Sequence, residues 1–295
     1  MKKNVIVFGI VLLFLGLGFS SVTYASNLKI NVNSNAIQNK TIYVDDDNVN
    51  GPWDGSIDHP FKNVQDGVGF ANDNDTVFVF QGIYYENVII EKSLNLIGEN
   101  KNKTIIDVQN SQIVVTIKNS NYILINSFTI QNGNPYGLFV SESEIISIKN
   151  NILRDNEECG IFIEYGGDSL INNNIIKNND CGIASLLSGK NCFHKNHFEN
   201  NNIGINLHCL FFNEITENNF IRNNIDATFL AIISELLLSI KAKWENNYWN
   251  DATRFGPKLI HGEMLISADP HANEYWTIPW LNIDRRPAKK PFEII

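Results

Sequence analysis

From Thr41 to about Asn250 the apolar residues come in runs of two to five, bounded by Asn, Gly and Ser. Such runs are too short for helices and read as brief strands joined by tight turns. One segment recurs: Tyr136-Gly137-Leu138-Phe139-Val140, Cys159-Gly160-Ile161-Phe162-Ile163, Cys181-Gly182-Ile183-Ala184-Ser185 and Ile203-Gly204-Ile205-Asn206-Leu207, with successive glycines 23, 22 and 22 residues apart. Asn-rich units precede these copies, at Asn150-Asn151-Ile152-Leu153, Asn172-Asn173-Asn174-Ile175-Ile176, Asn196-His197-Phe198 and Asn218-Asn219-Phe220, and weaker copies run upstream through Val114-Val115-Thr116-Ile117 and Leu94-Asn95-Leu96-Ile97.

A unit of about 22 residues buries almost nothing alone. If each unit is one turn of a coil, its strands pair in parallel with the same strands of the next turn, about 4.8 Å away, and a common core forms. The pattern therefore predicts an all-β chain, a single-stranded right-handed parallel β-helix. Alternation sends Leu138, Val140, Ile161, Ile163, Ile183, Ser185, Ile205 and Leu207 inward, and Phe139, Phe162, Ala184 and Asn206 outward. A leucine-rich-repeat solenoid competes, but its Leu-rich consensus with a helical half is absent. Residues 41–250 would make nine to ten coils, a rod of about 45 Å. Its ends need caps. After His59-Pro60, Phe61, Val64, Val68 and Ala71 recur at helical spacing up to Asn72-Asp73, which predicts a short N-terminal lid helix. Beyond the repeats, Trp244, Tyr248, Trp249, Trp276 and Trp280 with Pro257, Pro279, Pro287 and Pro291 predict an irregular capping tail over 251–295 that wraps the last coil.

Composition gives the pattern a chemical reason. Asn accounts for 45 of 295 residues, a bias that suits corners needing left-handed backbone and amide ladders between stacked turns. The 43% hydrophobic content excludes wholesale disorder, and the net charge of −9 excludes a generic nucleic-acid binder and disfavours anionic partners unless a metal ion bridges. Lys2 and Lys3, the apolar run Val5 to Phe19 and Thr23-Tyr24-Ala25 read as a signal peptide over 1–25, with a retained anchor as the alternative and 26–40 as a linker. Either way the body lies outside the cytoplasm. Phe229 to Ile240 is apolar but short and holds Glu235, so it reads as a buried strand or capping element. Asn39, Asn74 and Asn102 head glycosylation sequons.

Several segments resemble the opening of exported pectin-lyase-like β-helix proteins with NosD-type (periplasmic copper-protein-like) or carbohydrate-binding and sugar-hydrolysis (CASH) repeats. They are Thr41-Ile42-Tyr43-Val44-Asp45-Asp46-Asp47, His59-Pro60-Phe61, Asp75-Thr76-Val77-Phe78-Val79, Gly82-Ile83-Tyr84-Tyr85-Glu86-Asn87 and Lys92-Ser93-Leu94-Asn95-Leu96-Ile97-Gly98-Glu99-Asn100. Asn247-Tyr248-Trp249, Pro287-Ala288 and Pro291-Phe292 are similar to the tail of that group. The resemblance implies the fold and an envelope setting; its members include enzymes, binding modules and proteins without chemistry.

Aligned residues one coil apart serve as a ruler. Glu158 and Asp180, 22 apart, could hold calcium or act as the acid and nucleophile of a retaining glycosidase, or be two solvated turn acids. Asp155, Lys177 and Glu199 also step by 22 and read as a surface charge ladder. A lyase reaction wants a base near the acids, but Arg154 and Arg222 stand three coils apart. Motifs similar to those of polygalacturonases are missing, and Asp269-Pro270-His271, similar to an alginate-epimerase motif, falls in the tail. The copper association of NosD directs attention to Cys192, His194 and His197, with His208-Cys209 one coil on, although strand geometry separates His197 from the other two. Cys159 and Cys181 stack on neighbouring coils as a disulfide or as a reduced core pair. Phe139 over Phe162, with Tyr165 nearby, offers an outer platform for sugar rings unless the tail or a loop covers it. The function expected is non-catalytic recognition of polysaccharide or glycoprotein glycan, or surface scaffolding. The rival class is a calcium-dependent lyase or glycosidase, and copper handling is the third.

Overall fold

The computed structural model describes residues 39–208, 212–233, 242–250, 256–266 and 276–294. The signal segment 1–25, most of the linker 26–40, Cys209, residues 234–240 of the apolar run and Asp269-Pro270-His271 lie outside them. Short strands dominate, and the chain visits three sheets in rotation. One turn passes through Ile146–Lys149 on the first sheet, Ile152–Arg154 on the second and Cys159–Glu164 on the third, before returning to Leu170–Asn172 on the first. Pairing between turns is parallel, with Ile148 opposite Ile171, Leu153 opposite Ile176 and Ile161 opposite Ile183. This is the predicted coil.

The first sheet has nine strands, the second eight and the third eight parallel ones plus one antiparallel, so seven to eight turns pass through all three sheets, fewer than the nine to ten expected. Corner insertions explain the shortfall. Thr41 pairs with Thr76, Asn95 with Leu124 and Glu214 with Lys243, spacings well above 22 residues.

All eight residues assigned inward on the glycine-led strands are buried. The core grades from Ile, Leu and Val into aromatics: Phe198 stacks on Phe220 at 4.9 Å and Phe220 on Trp249 at 4.4 Å, nearly parallel. The repeated glycines stand in one file because the turns approach too closely for a side chain. A Cβ on Gly160 would lie 2.8 Å from the Gly182 carbonyl oxygen, and one on Gly182 would lie 2.4 Å from that of Gly204.

Two buried amide ladders run along the corners. Asn151, Asn174, Asn196 and Asn218 each donate Nδ2–H to Oδ1 of the next, ending at Asn247, over 3.0 to 3.2 Å. The same amides donate to carbonyls of the first-sheet strand one turn earlier, such as Ile148 and Ile171. A second file joins Asn156, Asn179, Asn201 and Asn223 at 2.9, 3.2 and 3.1 Å. The first ladder ends on Asp284, whose buried carboxylate accepts from the Asn247 amide at 3.2 Å and Trp249 Nε1 at 3.1 Å.

The lid helix is Val64–Phe70, burying Val64, Gly67 and Val68 against the first turn. Phe61, expected on this helix, instead bridges Val44 beside the first sheet. Glu86 accepts the Val64 and Gln65 N–H groups at 2.7 and 2.9 Å, satisfying two donors at the helix start.

The other end departs from the expected irregular tail. Lys258–Ile266 continues the third sheet in parallel with Ile225–Ile233, and Trp276–Asp284 adds an antiparallel edge. Trp244 and Trp249 are core residues, whereas Trp276 and Trp280 are exposed. The final segment does lie over the second sheet: Ala288 N–H bonds the Asn247 carbonyl at 2.9 Å, and Phe292 exchanges two backbone bonds with the Asn219 side chain.

Candidate functional site

Alternation on the third sheet points Phe139 and Phe162 outward, and parallel register brings them into file. Their rings stack at 5.8 Å and 14°. Tyr136 completes the cluster, its ring 4.8 Å from Phe162 and 5.7 Å from Phe139. Burial pushes the Tyr136 phenol up to about 12, with Glu158, Cys159 and Glu164 adding to the rise, so the hydroxyl stays protonated as a donor beside two acids. Glu164 also accepts from Ser141 Oγ at 3.0 Å. The result is a half-buried, three-ring surface edged by carboxylates.

Tyr136 was not among the expected platform residues. Its signal was its place one residue before a file glycine, where the copies below carry Cys159 and Cys181. Tyr165, expected nearby, takes a corner position with φ 50° and stacks on no other ring among the described residues. The described parts of the tail are engaged elsewhere, at Asn247 and Asn219.

Glu158 and Asp180 do lie one turn apart, each just before the paired Cys159 and Cys181, and both are exposed. Asp180 accepts from Asn202 Nδ2 at 3.0 Å. Cys159 and Cys181 are buried free thiols, and the Cys181 thiol is held well above its usual range by its contact with Cys159 and by burial.

The three metal candidates divide between sheets. Cys192 and His194 are on the first, His197 on the second. His194 Nδ1 pairs with Thr216 Oγ1 at 3.1 Å, while His197 Nε2 lies 3.6 Å from Glu199. Burial, then Arg222 and Lys177, lowers the His197 pKa. Among the described residues no group of three or more His, Cys, Asp or Glu is arranged to hold a metal ion.

The predicted ladder of Asp155, Lys177 and Glu199 is corrected in part. Lys177 pairs with Glu199, but the partner of Lys177 below is Arg154, because that turn has 23 residues. Asp155 sits at the corner and accepts from Asn178 at 3.0 Å. The sequon residues Asn39, Asn74 and Asn102 are all exposed.

A cleft of about 470 Å³ opens at the first sheet, lined by Glu214, Thr216, Glu217, Lys243, Glu245, Asn246 and Arg286. Lys243 pairs with Glu245 at 3.0 Å and Lys195 with Glu217 at 3.6 Å. Arg286 reaches this cleft from the tail, which spacing within the repeats could not foretell.

A coil of three parallel sheets with stacked amide corners defines the right-handed β-helix class. The chain belongs to the right handed beta helix region family, whose model matches residues 17–220 and 112–252. No curated protein sequence matches it. Similar solved structures include ORF18 of Geobacillus virus E2 (14% identity, TM-score 0.46, 76% of this chain and 60% of that one). Others are pectate lyase Pel9A (15%, 0.54, 71% and 58%) and pectin methylesterase PemA from Erwinia chrysanthemi (15%, 0.54, 85% and 90%). The chain thus spans about 60% of the length of the first two. At such identities the likeness shows the fold alone. No helix among the described residues is long and apolar enough to cross a membrane.

Proposed function

We propose that this chain is an exported or envelope-associated protein that recognises a polysaccharide without turning it over. The observation that carries the reading is the outward platform of Tyr136, Phe139 and Phe162. Sugar rings lay their apolar C–H faces on such surfaces while Glu158, Glu164 and the Tyr136 hydroxyl take hydroxyl hydrogen bonds. The resemblance to pectin-lyase-like proteins, and two fold neighbours that are a pectate lyase and a pectin methylesterase, support the same class of ligand.

The test is a glycan-binding screen on the secreted form, followed by calorimetry on the best ligand. Binding should survive chelator, leave chain length unchanged, and weaken about tenfold in Phe162→Ala, as loss of one stacking surface of about 1.4 kcal/mol implies. Chelator-sensitive formation of unsaturated ends or reducing sugars, abolished by Glu158→Gln or Asp180→Asn, would instead establish the calcium-dependent enzyme. Copper retained stoichiometrically through desalting would establish metal handling.

A further inference from the structure

We infer that the terminal strand Trp276–Asp284 and the basic segment after it form a docking surface for an anionic phospholipid bilayer. The strand closes the third sheet, pairing antiparallel with Lys258–Ile266 and ending the sheet order. It carries no charged residue from Trp276 to Ile283. Trp276, Ile278 and Trp280, on one face, are 55%, 37% and 46% exposed, and Leu281 and Ile283, on the other, are 47% and 43% exposed. Asp284 shares the face of the tryptophans and is fully buried under the last turn. The strand thus ends at the core, and its apolar residues precede that anchor and lie out beyond it. Five large apolar side chains exposed on the two faces of one edge strand call for a partner.

Charge identifies the partner. Arg285, Arg286, Lys289 and Lys290 follow at once, four exposed cations within six residues of a chain whose net charge is −9. Neighbouring acids offset them only in part. Asp284 is occupied with Asn246, Asn247 and Trp249, Arg286 faces the glutamates of the cleft, and Glu263 and Glu293 are exposed nearby. Arg285, Lys289 and Lys290 outnumber Glu263 and Glu293 by one, which leaves a small local positive excess. Tryptophan beside Lys and Arg suits a membrane interface, where the rings settle at headgroup depth and the cations meet anionic lipid.

A second copy fits less well, because Pro279 removes an N–H from the middle of the strand that edge-to-edge pairing would use.

The test is flotation of the full secreted chain with phosphatidylcholine vesicles, with and without phosphatidylglycerol. Phosphatidylglycerol should raise the bound fraction at least about tenfold, and high salt should reverse most of the gain. Brominated lipid should quench tryptophan emission in the unmodified protein, a readout that needs no variant. Trp276→Ser with Trp280→Ser, and separately Arg285→Gln, Lys289→Gln and Lys290→Gln together, should each lower vesicle binding at least about tenfold. Circular dichroism and glycan binding should be unchanged in both. Equal binding to neutral vesicles, absence of quenching, or a concentration-dependent dimer dissolved by the tryptophan changes would overturn the proposal.

Discussion

At each ladder corner two adjacent positions divide the properties of Asn. The first takes left-handed backbone and faces solvent: Asn150, Asn173, Lys195, Glu217 and Asn246 beside one ladder, Asp155, Asn178, Asn200 and Arg222 beside the other, with φ between 52° and 58°. The second holds the ladder amide and is Asn throughout. Left-handed backbone tolerates several polar residues at modest cost, whereas a buried amide gives two donors and an acceptor that no other side chain of its length reproduces. Asn174→Ala should therefore cost about 2–4 kcal/mol in urea unfolding, because it removes the Oδ1 that accepts from both the Asn151 backbone N–H and its Nδ2–H. Asn173→Gly should cost less than about 0.5 kcal/mol or stabilise. Equal costs at both positions would refute the division. The glycines allow a similar contrast. Gly182→Ala forces a Cβ to within 2.4 Å of a backbone oxygen and should abolish folding or cost more than about 3 kcal/mol, whereas Gly69→Ala, with nothing within 4 Å, should stabilise by about 0.5–1 kcal/mol.

Histidine sets the acid limit at this scale. His197 and His208 are held below their usual range, His197 by burial and then by Arg222 and Lys177, His208 by burial. Between their depressed native values and about 6.5 the unfolded chain binds more protons than the folded one. Stability should thus be full above that pH and fall as pH drops through the window. His197→Gln with His208→Gln should flatten this limb in melting temperatures between about pH 7 and 5; an unchanged slope would mean that other groups set it.

Among the elements, the lid helix is short and depends on a remote carboxylate for its first turn. Glu86→Ala should cost about 1–3 kcal/mol, since it leaves the Val64 and Gln65 N–H groups unpaired, while Asn63 offers no side-chain cap. Amide exchange should show the loss concentrated at residues 64–70 rather than spread through the coil. Alternation sufficed to assign the faces of the glycine-led strands, since a strand has only two. Helical spacing identifies Val64 and Val68 but not Phe61, whose N–H bonds the Tyr43 carbonyl at 2.9 Å, a pairing decided 18 residues away in sequence.

For the whole β-helix, each turn contacts chiefly its neighbours, so stability should be close to a sum of turn and interface terms. Excising residues 174–195 joins Asn173 to Asn196 and lets Asn151 meet Asn196 in place of Asn174. The shortened chain should remain β-rich and unfold cooperatively at a lower urea midpoint; an unfolded product would show that the turns are not interchangeable.

The period, the inward set and the glycine file were all legible in the chain, because every turn meets the same local demands and repeats its answer. Tertiary structure alone decided which residues share a file where a turn has 23 residues instead of 22, as at Arg154 and Lys177. It also added Tyr136 to the platform, brought Arg286 to the cleft and carried Trp276 and Trp280 beyond the core. Those outcomes depend on summed corner insertions and on contacts between distant segments, which no local pattern of apolar and polar residues encodes.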